Sequence, residues 1–451
     1  MSPKIALLGC IIFIVCLFIL DYRKNAATGY ASWVPLLWFL IVMSRPFSLW
    51  LNPAGTVADS PYDTLEGSPV DRLYYSTLLI VGFVILYMKR VKWGVLAHVN
   101  VPLLIFIFYC TLSMTWSDFP FTAFKRWVKA IGDYIMVLIL LTESNTYETI
   151  KSTIKRIAFI LLPLSIVFIK YFPEYGRIYH RWTGETMYAG VTTHKNTLGL
   201  LCMMLGFFLF YYLIQALREK SDPSGRRRDI ILCSLMLVFV FWLLILARSA
   251  TALFTLVISI GFLAMLSLPF MRRRPEYIGL FFLSCLVLAA VAILIADVFP
   301  MLFAMLGRDI TMTGRTDFWR DVISVGTNPL IGTGFDSFWL GDRAAKLWYE
   351  YYWKPNQAHN GFLEIYLNLG LIGLALLCAV LVSFYKKSKA ELYKQYDWGT
   401  LRVTFFIVAI LYNITEASFR ALTPIWLFLL LLNTEYPMPG SRQQGVDVGD
   451  G

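Results

Sequence analysis

The chain contains 451 residues, of which 58% are hydrophobic and only 15% are charged, and its formal net charge is +11. This composition argues against a water-soluble enzyme, a disordered protein and a secreted disulfide-rich scaffold. The basic residues fall in short clusters between apolar runs, which is typical of multi-pass membrane proteins rather than of nucleic-acid-binding proteins.

Apolar runs long enough to cross a bilayer recur along most of the chain. We predict about 12 to 13 transmembrane helices, near residues 4–20, 31–51, 73–88, 99–115, 126–142, 155–171, 196–216, 230–247, 250–270, 277–299, 361–384, 402–416 and 420–433. No internal repeat and no glycine- or serine-rich linker divides the sequence, so it predicts one all-α polytopic membrane domain over residues 1–436. We expect residues 437–451 to form a disordered, cytoplasmic tail.

Five basic clusters predict which connections face the cytoplasm, since loops rich in Lys and Arg stay on that side. They are Lys89-Arg90-Lys92, Lys151-Lys155-Arg156, residues 218–228, Arg272-Arg273-Arg274 and residues 386–394. The alternation of sides then puts the N terminus outside, together with the short turn at 247–251 and the connections at 52–72, 116–125, 172–195 and 300–360. The last connection is long enough to indicate a function. Its aromatic run from Trp348 to Trp353 suits either stacking on sugar rings or a position at the lipid headgroups.

The first candidate site residues lie near the start of the predicted helix at 196–216. They are Arg181, His194, Lys195 and Asn196. A helix N terminus together with basic side chains favours an anion. Thr193 or Asn196 is the expected N-cap of this helix. The alternative is ordinary capping with a lysine at the membrane interface.

Arginines form the next group of candidates. Arg248 interrupts about 40 apolar residues between two predicted spans, and a charge at such a depth is costly enough to indicate a function. Arg308, Arg315 and Arg320 follow in the long loop. The alternatives are a snorkelling arginine in a tight turn for the first and an amphipathic surface helix for the other three.

His359 is the candidate general base, because it lies where the long loop re-enters the membrane. The chain has four histidines, and His180, His194 and His359 all fall on the predicted outer side. Asn360 is expected to cap the helix that begins after it. The alternative is a capped helix start with a histidine at the interface.

The sequence predicts neither a metal site nor a cofactor site. The seven cysteines have no paired spacing, no carboxylate-rich box accompanies the basic residues, and no GxxxxGK[ST] segment is present to bind ATP. Arginine binds diphosphate through two parallel hydrogen bonds. Since transfer chemistry without a nucleotide needs an activated donor, the pattern favours a sugar carried on a polyprenyl diphosphate.

Four motifs occur in order between residues 180 and 375. They are Thr192-Thr193-His194-Lys195-Asn196, Arg248-Ser249-Ala250-Thr251, Gly314-Arg315-Thr316-Asp317-Phe318-Trp319 with residues 329–335, and Ala358-His359-Asn360-Gly361 with Leu369-Gly370. In this order they resemble the O-antigen ligase and O-antigen polymerase superfamily. The His-Lys-Asn motif resembles the exopolysaccharide-polymerase branch most.

The resemblance implies a metal-independent, inverting glycosyltransferase with a GT-C-like fold, whose long extracytoplasmic loop at 300–360 is part of the active site. It implies that Arg248 and Arg315 bind the donor diphosphate and that His359 activates the acceptor hydroxyl. The additional candidates are Arg181, His194, Lys195, Asn196, Arg308, Arg320 and Asn360. Ligases often have Ser-Arg-Gly where this chain has Ala-Arg-Ser at 247–249.

The resemblance also implies the partners and the location. The donor is a glycan on undecaprenyl diphosphate, the acceptor is a glycan or lipid A core, and membrane lipid and other polysaccharide assembly proteins are further partners. We expect a multi-pass protein of the bacterial cytoplasmic (inner) membrane with a periplasmic active site. It would polymerise exopolysaccharide or O-antigen repeat units.

Three alternatives stay open. A ligase would transfer finished polysaccharide to lipid A core or to protein. A transporter of lipid-linked sugars would carry buried charges such as Glu416 along a central water path, but the sequence has no inverted repeat. A structural partner in envelope assembly would have no active site of its own.

Overall fold

The computed structural model describes residues 2–22, 29–52, 68–179, 184–279 and 313–436, without the side chains of Tyr22 and of residues 313–316. Most of these residues, 77%, are helical. One two-stranded antiparallel sheet pairs β1 (Arg177–Tyr179) with β2 (Thr186–Tyr188). The all-α polytopic class predicted from the sequence is confirmed. The expected C-terminal tail lies outside the described residues.

Eighteen α-helices lie in the described part of the chain. They are α1 (Pro3–Tyr22), α2 (Trp33–Val42), α3 (Phe47–Leu51), α4 (Pro69–Met88), α5 (Trp93–Val99), α6 (Val101–Ser113), α7 (Pro120–Leu141), α8 (Thr146–Tyr171), α9 (Pro173–Gly176), α10 (Lys195–Arg218), α11 (Pro223–Ala247), α12 (Ala250–Leu266), α13 (Pro269–Arg273), α14 (Thr313–Ser324), α15 (Gly341–Glu350), α16 (Gly361–Lys394), α17 (Tyr396–Thr415) and α18 (Pro424–Asn433).

Seven of these helices are long and apolar enough to cross a membrane, namely α1, α4, α8, α10, α11, α16 and α17. The pair α5 and α6, bent by 98°, would make an eighth span. Fewer helices qualify than the apolar runs predicted. Helices α2 and α18 have ten residues each and so reach about half of the hydrocarbon thickness, α12 has 17 residues, and α7 is not among the qualifying helices. The predicted span at 277–299 lies mostly outside the described residues.

Helix α10 lies at the centre of the bundle and packs against α8, α11, α12 and α18. It is apolar nearly all round, which is the pattern of a helix buried on every side. Its aromatic rings Phe207 and Phe208 contact Phe405 of α17, and Phe208 also packs 4.7 Å from the ring of Phe428. The first residues of this helix therefore belong to a rigid element.

A buried ion cluster joins α8 to α1 and α11. The Nζ of Lys155 lies 2.5 Å from Asp21 and 3.3 Å from Asp229, and Lys151 pairs with Asp229 at 3.3 Å. The sequence prediction of a basic loop over Lys151, Lys155 and Arg156 was wrong. Helix α8 already begins at Thr146, and an apolar-run criterion cannot detect a helical turn whose charges are neutralised by other helices.

Helix α16 is interrupted at Gly370, whose φ of 65° and ψ of −167° are essentially available only to glycine. The gap receives the backbone of residues 329–334. The amides of Leu371 and Ile372, just after the interruption in α16, donate to the carbonyls of Pro329 and Leu330 at 2.9 and 3.1 Å. A Cβ on Gly370 would lie 2.2 Å from the Leu330 backbone. The glycine in this sequence motif therefore permits a close backbone contact.

The same loop residues also pair with the first half of α16. The amides of Thr333 and Gly334 donate to the carbonyls of Leu367 and Asn368 at 3.1 and 2.9 Å. Gly332 has a φ of 67°, and a Cβ there would lie 2.4 Å from the backbone of Asn368. Residues 329–334 are therefore held to both halves of the interrupted helix by main-chain hydrogen bonds. We call this pairing the backbone lock.

The described part of the long loop, residues 313–360, folds onto α16 around a small apolar cluster. Phe318, Val322, Phe338, Trp339, Leu347, Ala358 and Leu367 form this cluster. The indole of Trp339 donates to Glu364 at 2.8 Å, and that of Trp319 donates to the carbonyl of Ala358 at 2.8 Å. The cluster thereby fixes the backbone just before His359.

Candidate functional site

A cavity of about 1030 Å³ lies where the start of α10, residues 348–359 and residues 412–424 meet. Its polar lining includes Arg45, Thr193, His194, Asn196, Gln357, His359, Glu416, Ser418 and Thr423. Its aromatic lining includes Tyr75, Tyr179, Trp348, Tyr352, Trp353 and Tyr412. Polar groups converging among aromatic rings are typical of a binding site, so we take this cavity as the candidate active site.

His359 lies at the wall of the cavity in a constrained position. Its φ of 51° is unusual for a residue other than glycine. Its Nδ1 is 3.1 Å from the carboxylate of Glu416 and 3.4 Å from the amide nitrogen of Gln357. An ionised carboxylate can only accept a hydrogen bond, so with Glu416 in that form the pairing requires the proton on Nδ1. The other ring nitrogen, Nε2, is left as a base.

Glu416 was not among the site residues predicted from the sequence. It directly follows α17, and its side chain is only 11% exposed. No motif surrounds it. The available signal is a single carboxylate at the end of an apolar span, which is costly and therefore indicates a partner or a function. The partner lies 57 residues earlier, so the pair becomes visible only in the fold.

Asn360 caps α16 as predicted. Its side-chain oxygen accepts hydrogen bonds from the amides of Phe362 and Leu363, both at 3.0 Å, and its amide nitrogen donates to the carbonyl of Ile414 at 3.3 Å. The cap therefore ties the start of α16 to the end of α17. These two ends carry the two members of the pair formed by His359 and Glu416.

His194, and not the predicted Thr193 or Asn196, is the N-cap of α10. Its Nδ1 accepts a hydrogen bond from the amide of Asn196 at 3.2 Å. Burial, followed by the charge of Lys195, lowers the pKa of His194, while Glu416 opposes this effect. An accepting nitrogen and a lowered pKa both indicate a neutral imidazole. Lys195 begins the helix but is not among the residues that line the cavity.

Replacement of His194 by asparagine is expected to make the protein less sensitive to acid. Because the folded state lowers the pKa of this histidine, the unfolded chain takes up the proton first as the pH falls below about 6.5. The free energy of unfolding therefore keeps its full value above that pH and decreases below it. Asparagine keeps a capping oxygen without the titration. Thermal unfolding between about pH 7.5 and 5 should show a smaller decrease for H194N, whereas H98N, at an exposed histidine, should follow the wild type.

Arg45 is a second residue that the sequence interpretation missed. It is 5% exposed, and its guanidinium donates to the carbonyls of Tyr175, Gly190, Val191 and Thr192 at 2.7 to 2.8 Å. Burial lowers its pKa to about 10, so it stays charged at neutral pH. It fixes the segment that leads to His194. The signal used for Arg248, a cation inside an apolar run, also applies to Arg45.

The predicted diphosphate-binding residue Arg248 lies in the turn between α11 and α12, with a φ of 47°. Its side chain is 75% exposed, pairs with Glu185 at 3.1 Å, and is not among those that line the cavity. The turn nevertheless lies close to the site. A Cβ on Gly199 of α10 would be 2.5 Å from the Cβ of Ser249.

The remaining candidates are only partly described. Arg315 lies in α14, without a described side chain. Arg320 is on the same helix, where its 77% exposed side chain pairs with Asp317 at 3.2 Å. Arg181 and Arg308 lie outside the described residues. The structure therefore brings together His194, Asn196 and His359, which the sequence predicted, with Arg45 and Glu416, which it did not.

Comparisons with known proteins test the family resemblance predicted from the sequence. Residues 235–378 match the family model described as O-antigen ligase, and this region includes Arg248, Arg315 and His359. The chain is also 27% identical over 338 residues to the exopolysaccharide production protein ExoQ of Rhizobium meliloti (strain 1021). That match covers 72% of this chain and 74% of ExoQ. The resemblance to the O-antigen ligase and polymerase superfamily is thereby confirmed.

Proposed function

We propose that this protein polymerises exopolysaccharide or O-antigen repeat units by transferring a glycan from undecaprenyl diphosphate to a sugar hydroxyl. A role in assembling such polysaccharides follows from the family match and from the similarity to ExoQ. The observation that carries the proposed reaction is the pairing of His359 with Glu416 inside a cavity of about 1030 Å³. The reaction would occur on the periplasmic face of the bacterial inner membrane.

In the proposed reaction the acceptor hydroxyl oxygen attacks the anomeric carbon of the donor glycan. The bond between this carbon and the diphosphate oxygen breaks, with inversion, and undecaprenyl diphosphate leaves with the electron pair. Nε2 of His359 takes the hydroxyl proton, and Glu416 at 3.1 Å stabilises the imidazolium that results. Neither a metal nor a cofactor takes part in this proposal.

The leaving group needs positive charge, which we assign to Arg248 and Arg315. Groups that stabilise charge as it develops usually supply the largest part of such catalysis. Arg248 is available because its ion pair with Glu185 is exposed, and exposed pairs contribute about 1 kcal/mol or less. A diphosphate can therefore displace Glu185. Additional candidates for binding the same diphosphate are Arg181, Arg308 and Arg320, together with Lys195 at the start of α10.

The aromatic run supports a saccharide in the cavity. Of the two roles open from the sequence, sugar stacking and headgroup contact, the first agrees with Trp348, Tyr352 and Trp353 lining the cavity. The ring of Trp353 lies 5.9 Å from that of His359. Aromatic faces bind the apolar faces of sugars, so these rings would hold the acceptor glycan beside the base.

A ligase is the second candidate, and the description of the matching family favours it. It would use the same donor but a different acceptor, lipid A core or a protein. We prefer the polymerase because ExoQ, to which the chain is similar over most of its length, is named for exopolysaccharide production.

The surface glycans of cells lacking this protein, with and without the wild-type copy, test the proposal. Electrophoresis and size-exclusion chromatography should show that long polymer is lost while single repeat units still reach the surface, and that the wild-type copy restores the polymer. Long polymer that accumulates on its lipid carrier would identify a ligase instead. An unchanged profile would contradict both functions.

A further inference from the structure

A second cavity, of about 340 Å³, lies directly beside the candidate active site. Gln357, Ala417, Leu422 and Thr423 line both cavities, so the two share one wall. Gln357 also contacts Nδ1 of His359 at 3.4 Å. A group bound in the second cavity would therefore lie next to the proposed base.

The second cavity is strongly basic. Arg126 and Lys129 of α7 and Arg420 from the segment between α17 and α18 line it, together with one acid, Asp336. The carboxylate of Asp336 lies 3.6 Å from Arg126 and 3.8 Å from Arg420, which is too far for good hydrogen bonds. The two guanidinium groups therefore keep donors for a ligand, although Arg126 also donates to the backbone carbonyl of Asp336.

Two further acids interact electrostatically with these cations without an ion-pair contact, Asp71 with Lys129 and Glu364 with Arg420. The oxygens of Asp71 accept from the amide and hydroxyl of Ser48 at 2.8 and 2.7 Å. The two oxygens of Glu364 accept from the indole of Trp339 and from the amide of Ala358, both at 2.8 Å. Lys129 has no hydrogen bond or ion pair within the described part of the chain. Its ammonium lies 5.4 Å from the ring centre of Tyr75, which lines the first cavity.

We propose that this second cavity binds the anionic group of an acidic sugar in the glycan substrate, such as the carboxylate of a uronic acid. The inference rests on the proposed function. Two arginine forks and a lysine suit a carboxylate, and Gln357 and Thr423 offer partners for sugar hydroxyls. The apolar lining consists of alanine and leucine side chains only, which makes a short wall rather than a groove for a polyprenyl chain. The site would therefore select repeat units that carry a negative charge.

Direct binding to the purified full-length protein in nanodiscs tests this assignment. The probes are glucuronate, neutral glucose and undecaprenyl diphosphate without a glycan. Saturation-transfer NMR should show tighter binding of glucuronate than of glucose by the wild type. The variants K129Q and R420Q should lose at least about tenfold in glucuronate affinity, because each removes one charge-assisted contact. Glucose should bind equally well to all of them.

Two further variants, whose new side chains are similar in size to lysine, serve as controls. K129R keeps the charge and should retain glucuronate binding. K125Q removes a cation from the same helix, but Lys125 lies over the ring of Phe121 and does not line the cavity, so this variant should bind like the wild type. Thermal unfolding of each variant separates lost binding from lost folding. Because Lys129 forms no ion pair in the described residues, we expect K129Q to stay folded.

Glucuronate that binds no better than glucose, or equally well to the wild type and both variants, would overturn the assignment. Undecaprenyl diphosphate binding that falls in K129Q and R420Q, with glucuronate binding unchanged, would assign the cavity to the leaving group instead. None of these results requires turnover. They are therefore separable from a failure of the proposed function, which the glycan profile of cells lacking the protein reports.

Discussion

Replacement of His359 by alanine is expected to lower glycan transfer by about 10² to 10⁴-fold, which is the contribution of a well-placed general base. The substitution removes the nitrogen that would take the proton of the acceptor hydroxyl. It also leaves Glu416, at 11% exposure, without the imidazole at 3.1 Å. Cells that carry this variant in place of the wild type should lack long polymer at equal protein abundance.

The remaining described histidine supplies a matched control for this experiment. His98 lies on α5, is exposed and does not line the candidate active site, so H98A should restore polymer to the level of the wild type. E416Q, which keeps a hydrogen-bonding side chain but no charge, should reduce transfer less than H359A, because it removes the orienting group and not the base. Wild-type polymer in cells with normal amounts of H359A would contradict the assignment of the base.

Replacement of Lys155 by methionine should destabilise the protein by about 3 to 5 kcal/mol, because removal of one partner leaves buried charge uncompensated. Lys155 is 2% exposed, and its ammonium contacts both Asp21 and Asp229. Methionine fills much of the volume of the lysine stem, so the loss reports charge and not a cavity. Thermal or denaturant unfolding in a fixed detergent measures it.

Removal of one complete ion pair is the control for that prediction. A double variant, D21N with K155M, removes the charge of Asp21 together with that of Lys155 and leaves Asp229 paired with Lys151 at 3.3 Å, so it should regain much of the lost stability. None of these residues lines the candidate active site, so the folded fraction of each variant should keep the specific activity of the wild type. A double variant no more stable than K155M would show that the contribution comes from packing.

The sequence predicts local features of this protein well. Two of them depend on neighbouring residues and are present, namely the cap at Asn360 and the position of His359 at a loop-to-helix junction. The sequence interpretation missed Arg45 and did not predict Glu416 as an active-site residue. Their roles come from contacts with residues 130 or more and 57 positions away along the chain. A single sequence does not show which distant residues lie next to each other in the fold.

The sequence identifies a membrane protein more reliably than it identifies which apolar segments are full spans and where they end. Apolar content identifies segments that avoid water, but it does not distinguish a full span from a ten-residue helix such as α2, which ends just before Arg45. Charged helical turns cause the opposite error, because they make a span appear shorter than the helix is. Lys155 appears to end a span because its partners Asp21 and Asp229 come from other helices.

The backbone lock between residues 329–334 and α16 has a consequence for how this protein can diverge in evolution. Its hydrogen bonds are formed by main-chain atoms, so they do not depend on which side chains occupy the loop, apart from Gly332 and Gly370. Leu330, for example, is 57% exposed and free to vary. Descendants could therefore change the surface of the long loop, and with it the glycans they accept, while the helix that follows His359 keeps its place.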